Sequence, residues 1–124
     1  MDFIQQLDLD YVLHPASGWR VHDIITHLTW SDEQASATIN GFLTDTVYRP
    51  PAHLSISSRN DIHRRNAWIR RQRYNKNPQE VMTEFIQAHE DLKTALMRVG
   101  TQDLHKEFTA YWGDRITVHT LAIW

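Results

Sequence analysis

Residues 21–43 carry the pattern that most constrains the fold of this chain. Apolar side chains recur there at intervals of three, four and seven residues, which is the spacing of one helix face. The pattern predicts a long helix whose inward face holds six residues: Val21, Ile24, Ile25, Leu28, Ala35 and Ile39. Gly41 weakens the end of this helix.

Further helices are predicted from similar signals. Ser58 with Asp61 resembles a helix cap, and Asn77-Pro78-Gln79-Glu80 combines a cap, an N-terminal proline and a capping box. Gly100 is a stop signal. Helices are therefore predicted over residues 2–13, about 59–74, 78–99 and 117–124. Residues 44–58 and 101–114 are predicted to be connections, the second with one short turn around Leu104 and Phe108.

The composition agrees with a single all-α domain over residues 1–124. The chain is 41% hydrophobic and 23% charged, with a net charge of −2, which is typical of a folded protein that does not favour nucleic acid as a partner. It contains no cysteine, so disulfides and thiolate chemistry are excluded. No apolar run is long enough to span a membrane, and no signal peptide is visible, so we expect a cytoplasmic antiparallel helical bundle.

His27 is the candidate for chemistry on the long helix. Helical geometry places it roughly 110° from the centre of the apolar face, on one flank. From there its imidazole can enter a cleft as a metal ligand, or hydrogen-bond to a neighbouring helix as a boundary residue. His22 lies on the opposite flank. No two of the eight histidines are three or four apart, so any metal site must join different helices, and His119 in the last helix can reach the same end of the bundle.

A basic segment spans Arg59–Lys76 and holds seven of the thirteen basic residues. Trp68 and Tyr74 lie among its arginines, and arginines with aromatic rings can grip anionic groups. The alternative is a solvated helix face whose charges pair with acids elsewhere, such as Glu80, Glu84 and Glu90.

The stretch Gly18-Trp19-Arg20-Val21-His22-Asp23, with His27-Leu28 and Trp30 after it, resembles the signature of the DinB/YfiT-like superfamily. Within that superfamily the stretch resembles in particular the N-terminal domain of mycothiol-dependent maleylpyruvate isomerases and the related ClbS/DfsB-type bundles. Asp61, Asn66 and the segments 77–81 and 113–118 resemble later motifs of these proteins.

The resemblance implies an up-down-down-up four-helix bundle with a metal pocket near one end. His27 matches one family ligand, and the ion would be divalent, zinc or nickel for example. The family's His-x-x-x-His pair on the fourth helix does not occur before Trp124, and His119 lies early for it. The implied activities are isomerisation, thiol transfer or hydrolysis of a small electrophilic substrate, with a thiol cofactor in some members.

Two functions are consistent with these features. In the first, the protein is a metal-dependent enzyme with His27 as a ligand and with Trp30 and Trp68 lining its pocket. In the second, it is a non-catalytic binding module that holds an anionic partner with the Arg59–Lys76 segment. Both ends of the chain look short for a four-helix bundle, and the apolar residues 121–124 predict either a fragment or a homodimer.

Overall fold

The structure is a computed structural model that describes residues 12–14 and 18–122. This part of the chain is mainly helical, which confirms the predicted class. Its elements in order are β1 (Val12–His14), β2 (Trp19–Arg20), α1 (Val21–Leu43), α2 (Arg59–Gln72), α3 (Pro78–Met97), β3 (Glu107–Thr109), β4 (Arg115–Thr117) and α4 (Val118–Ala122). Single 3₁₀ turns lie at Ala52–Leu54 and Thr101–Asp103. None of the described helices is long and apolar enough to cross a membrane.

The two helix starts predicted from capping signals are confirmed. The Ser58 side chain accepts a hydrogen bond from the Asp61 backbone N–H at 3.3 Å, at the start of α2. The Asn77 side chain accepts from the Glu80 N–H at 2.9 Å, with Pro78 as the first residue of α3. These caps satisfy N–H groups that have no partner inside the helix. The prediction that Gly100 caps the end of this helix is wrong, because α3 ends at Met97.

The predicted secondary structure is wrong in the two regions that form hairpins. Val12 and Leu13 belong to β1, which pairs with β2, so the predicted helix over residues 2–13 is wrong there, and its other residues lie outside the described chain. The predicted connection over 101–114 contains β3, which pairs with β4 in regular antiparallel register. Gly113, with a φ of +96°, allows the tight return between these strands, since such a φ suits glycine. The last helix begins at Val118, after β4.

Helix α1 is the centre of the fold and packs on both α3 and α2. Near its start Ile25 packs with Val81 and Phe85, and near its end Ile39 packs with Ala95. Helices α1 and α3 therefore run parallel, with their first residues side by side and their last residues side by side. Helix α2 runs the other way, because its later residues contact the beginning of α1. The full four-helix arrangement stays a prediction.

The inward face predicted for α1 is wrong in part. Ile24 and Leu28 are 37% and 44% exposed. Thr26 and Thr29 are completely buried, and each donates its hydroxyl hydrogen to the backbone carbonyl four residues earlier, at 3.0 and 2.8 Å. A threonine that satisfies its own hydroxyl in this way buries like valine. The buried face is therefore rotated toward positions that a hydrophobicity pattern scores as polar.

The rotated face can be tested with two adjacent isoleucines. We expect Ile25→Ala to lower the free energy of unfolding by about 2–4 kcal/mol, because its side chain is 4% exposed within the core. Ile24→Ala removes the same atoms from a partly exposed position and should cost about 1 kcal/mol or less. Urea denaturation of both variants makes the comparison, and an equal or larger loss for Ile24→Ala would show that the sequence-derived face is the right one.

Candidate functional site

A buried carboxylate joins the beginning of α1 to α2. Asp23 is completely buried. It accepts a hydrogen bond from the Arg20 backbone N–H at 2.9 Å and another from the Arg20 guanidinium at 3.2 Å. The Arg70 Nε lies 3.1 Å from its second oxygen, and the Arg70 Nη2 donates to the Gly18 carbonyl at 2.9 Å. Arg70 therefore ties α2 to the segment that precedes α1.

The charge balance of this cluster keeps Asp23 ionised. Burial by itself would raise the pKa of the Asp23 carboxyl, but the hydrogen bonds from Arg20 and the charges of Arg20 and Arg70 outweigh it, so the pKa lies below its ordinary value. His22 is also buried. It donates from Nε2 to the Lys76 carbonyl at 3.1 Å, which holds the connection between α2 and α3 against α1.

The basic segment is largely paired, as its second interpretation predicted. Besides Arg70, Arg73 contacts Glu84 at 2.9 Å and Glu33 at 3.3 Å. Lys76 contacts Glu84 at 2.7 Å. Arg64 lies 2.7 Å from Asp61. Arg70, Arg73 and Lys76 therefore hold the end of α2 and the residues after it against α1 and α3, whereas Arg64 pairs within α2.

Arg65, another arginine of this segment, lines a cleft. This cleft has a volume of about 850 Å³ and is bounded by the side of α1, the residues 49–56, α2 and the turn between β3 and β4. The Arg65 guanidinium lies over the Trp30 ring at 5.2 Å. Its Nε is buried and has no hydrogen-bond acceptor among the residues that the structure describes.

Aromatic rings form much of the cleft wall. Trp30, Tyr111 and Trp112 line it, together with apolar atoms of Leu54 and Leu121. The Tyr111 ring packs edge-on against Tyr48 at 5.9 Å. The Tyr48 hydroxyl in turn donates to Gln34 at 2.7 Å. Through Tyr48, these contacts connect Tyr111 in the turn between β3 and β4 to Gln34 on α1.

The polar groups of the cleft favour an anion. Burial raises the pKa of the Tyr111 hydroxyl against the opposing effect of the Arg65 charge, so this group stays protonated and can donate at neutral pH. Arg49 adds a second guanidinium. The acid in the lining, Asp114, accepts a hydrogen bond from the Trp112 indole at 2.9 Å. The cleft thus combines two cations and a phenol with an aromatic surface.

The residues proposed from the sequence lie at several different places. His27 is half-buried, and its Nε2 lies 3.3 Å from the Asn66 Oδ1 on α2, which is the contact expected of a boundary histidine. His119 is exposed, and its ring lies 5.0 Å from that of His105. Trp30 lines the cleft, whereas Trp68 packs against His53 at 5.4 Å.

A metal site at His27 needs further ligands. Within the part of the chain that the structure describes, no three histidine, aspartate or glutamate side chains form a group that could hold an ion. The described residues therefore do not by themselves fit the three-histidine centre that the family resemblance implies. The zinc or nickel ion and the thiol cofactor stay predictions.

Sequence reasoning missed Arg49, Tyr111 and Trp112, which come from connections rather than helices. No spacing rule brings these residues beside Trp30, and only the fold does so. Comparisons of the chain with protein-family models, with curated proteins and with solved structures found no match. The resemblance to the DinB/YfiT-like superfamily accordingly stays a prediction.

The Asp23 cluster can be tested through stability. We expect Asp23→Asn to lower the free energy of unfolding at pH 7 by about 2–4 kcal/mol, because it leaves Arg20 and Arg70 without their counter-charge. This estimate is below that for a fully buried pair, since the two arginine side chains are 21% and 25% exposed. Asp91→Asn, at an exposed position on α3, is the control and should cost less than about 0.5 kcal/mol.

The same cluster predicts a pH dependence. A carboxyl whose pKa is lowered by folding stabilises the protein fully above its ordinary pKa and loses that contribution as the pH falls through the lowered value. The difference in stability between the wild type and Asp23→Asn should therefore shrink on acidification below the ordinary carboxyl range. Urea denaturation at stepped pH values measures it, and a difference that does not change with pH would contradict an ionised Asp23.

Proposed function

We propose that this protein is a binding domain for a small organic anion with an aromatic or apolar body. The ligand is held in the cleft between α1, α2 and the turn between β3 and β4. The observation that carries the proposal is the Arg65 guanidinium, which lies over the Trp30 ring and lines the cleft together with Arg49. This is the anion-binding hypothesis derived from the Arg59–Lys76 segment, with Arg65 as the arginine of that segment that lines the cleft.

The shape of the cleft supports a small molecule. A volume of about 850 Å³ lies within the range of small-ligand sites. Its walls come from five separate segments, including α4 through Leu121, so a ligand would contact several sides of the cleft. An extended anionic polymer would need a continuous cationic surface, and the neighbouring cations Arg70, Arg73 and Lys76 are already paired.

The binding mode follows from the chemistry of the lining residues. The anionic group of the ligand accepts hydrogen bonds from Arg65, with Arg49 and the Tyr111 hydroxyl as further donors. The body of the ligand packs against Trp30 and Trp112, where aromatic surface contributes burial and stacking. Affinity should then depend on both parts of the ligand.

A second groove is less suited to this role. It lies along α2, with a volume of about 550 Å³, and Trp19, Arg70 and Tyr74 contribute to its lining. Arg70 is already occupied by Asp23 and by the Gly18 carbonyl. An anion there would compete with the contacts that hold α2 in place.

No described contact favours the metal-dependent enzyme over this binding domain. That activity, a small-molecule substrate for it, a homodimer and a cytoplasmic location stay predictions from the sequence.

The proposal is tested with 2-naphthoate and with its neutral analogue 2-naphthylmethanol. We expect Arg65→Gln to weaken 2-naphthoate binding about tenfold in isothermal titration calorimetry, the loss of one charge-assisted hydrogen bond of about 1.4 kcal/mol. It should change binding of the neutral analogue much less. Trp30→Ala should weaken both ligands, because it removes part of the aromatic wall.

Arg71→Gln is the matched control, since Arg71 is an exposed arginine on the same helix and does not line the cleft. Its affinity for 2-naphthoate should stay within about twofold of the wild type. The proposal is wrong if Arg65→Gln and Arg71→Gln bind alike, or if the naphthyl alcohol binds the wild type as tightly as the carboxylate does.

A further inference from the structure

Two exposed histidines lie side by side away from the cleft. His105 follows the 3₁₀ turn Thr101–Asp103, and His119 is the second residue of α4. Their ring centroids are 5.0 Å apart, and their planes are tilted by 39°. Face-to-face rings would be closer and parallel, so the two imidazoles are neighbours that do not stack on one another.

The hairpin of β3 and β4 holds the two histidines together. At the end of this hairpin Glu107 pairs with Thr117. His105 lies two residues before Glu107, and His119 lies two residues after Thr117. The two chain segments stay hydrogen-bonded past the strands, because the His119 N–H donates to the Leu104 carbonyl at 3.0 Å. The two Cα positions are therefore set by backbone structure rather than by chance contact of long side chains.

The spacing of the rings suits two ligands of one metal ion. Zinc–nitrogen bonds are about 2.0–2.1 Å long, which places each ring centroid about 3.2 Å from the ion. Two such rings at a tetrahedral angle have centroids about 5.2 Å apart, close to the 5.0 Å between His105 and His119. Both side chains are exposed, so each ring can turn to present a nitrogen.

The charges nearby do not oppose a cation. Lys106, the residue after His105, is paired with Asp103 at 2.8 Å. Arg115 lies 3.9 Å from the Glu107 carboxylate. Imidazole is a good ligand for zinc, nickel and copper ions, and water can complete the coordination at an exposed site.

We propose that His105 and His119 form a binding site for one divalent transition-metal ion. The site is independent of the anion cleft. Leu121, two residues further along α4, lines the cleft, and residues two apart on a helix lie on different faces. The site also differs from the one implied by the family resemblance, since it does not use His27.

The probe is zinc chloride alone, added to the untagged chain. Two measurements follow its binding. Calorimetry should give one ion bound per chain. Histidine side-chain ¹H–¹⁵N spectra should shift two of the eight imidazoles. His105→Ala and His119→Ala should each weaken zinc binding about tenfold or more, because one ligand of a held pair is lost. Each variant should also leave the remaining ring of the pair almost unshifted.

His89→Ala is the matched control, an exposed histidine on α3 whose Nδ1 lies 3.3 Å from Asp32. It should leave the zinc affinity unchanged, and unchanged backbone spectra would show that all three variants are folded. The proposal is overturned if zinc shifts His27 or other imidazoles while His105 and His119 stay unmoved. It is equally overturned if neither substitution in the pair weakens binding.

Discussion

The contact between Asp23 and two arginines is the constraint on which the rest of this structure depends. A completely buried carboxylate must be paired, because an uncompensated charge in the interior is very costly. Arg20, the residue before α1, binds Asp23 within the first turn of that helix, and Arg70 binds Asp23 from α2, far along the chain. The parallel packing of α1 and α3 also needs a long connection, and α2 forms the middle of that connection.

The position of α2 determines what the cleft can do. Arg65 lies a little more than one turn before Arg70, on the part of α2 that runs past Trp30. With Arg70 held by Asp23, Arg65 lies over the Trp30 ring in the lining of the cleft. Two arginines of one segment thus have separate surroundings: Arg70 is paired with Asp23, and Arg65 lines the cleft in which we propose that a ligand binds. The pair of His105 and His119 depends on the hairpin of β3 and β4 and not on this cluster.

Local signals in the sequence predicted where α2 and α3 begin, since the caps Ser58 and Asn77 act through hydrogen bonds to nearby residues. Which face of α1 is buried could not be predicted in this way, because Thr26 and Thr29 hide their hydroxyls against the backbone of their own helix. The cleft and the histidine pair were also out of reach. Both combine residues far apart in the chain, and a hairpin of three-residue strands gives too short a pattern to recognise.

The central claim is that α2, anchored through Asp23, presents Arg65 to a ligand in the cleft. The most direct measurement is a crystal structure of the protein with 2-naphthoate bound at saturation. The account predicts the carboxylate within hydrogen-bond distance of the Arg65 guanidinium, the naphthyl rings against Trp30, and the contact between Asp23 and Arg70 intact. Naphthoate bound in the groove beside Trp19, or an Arg65 turned away from the bound anion, would contradict it.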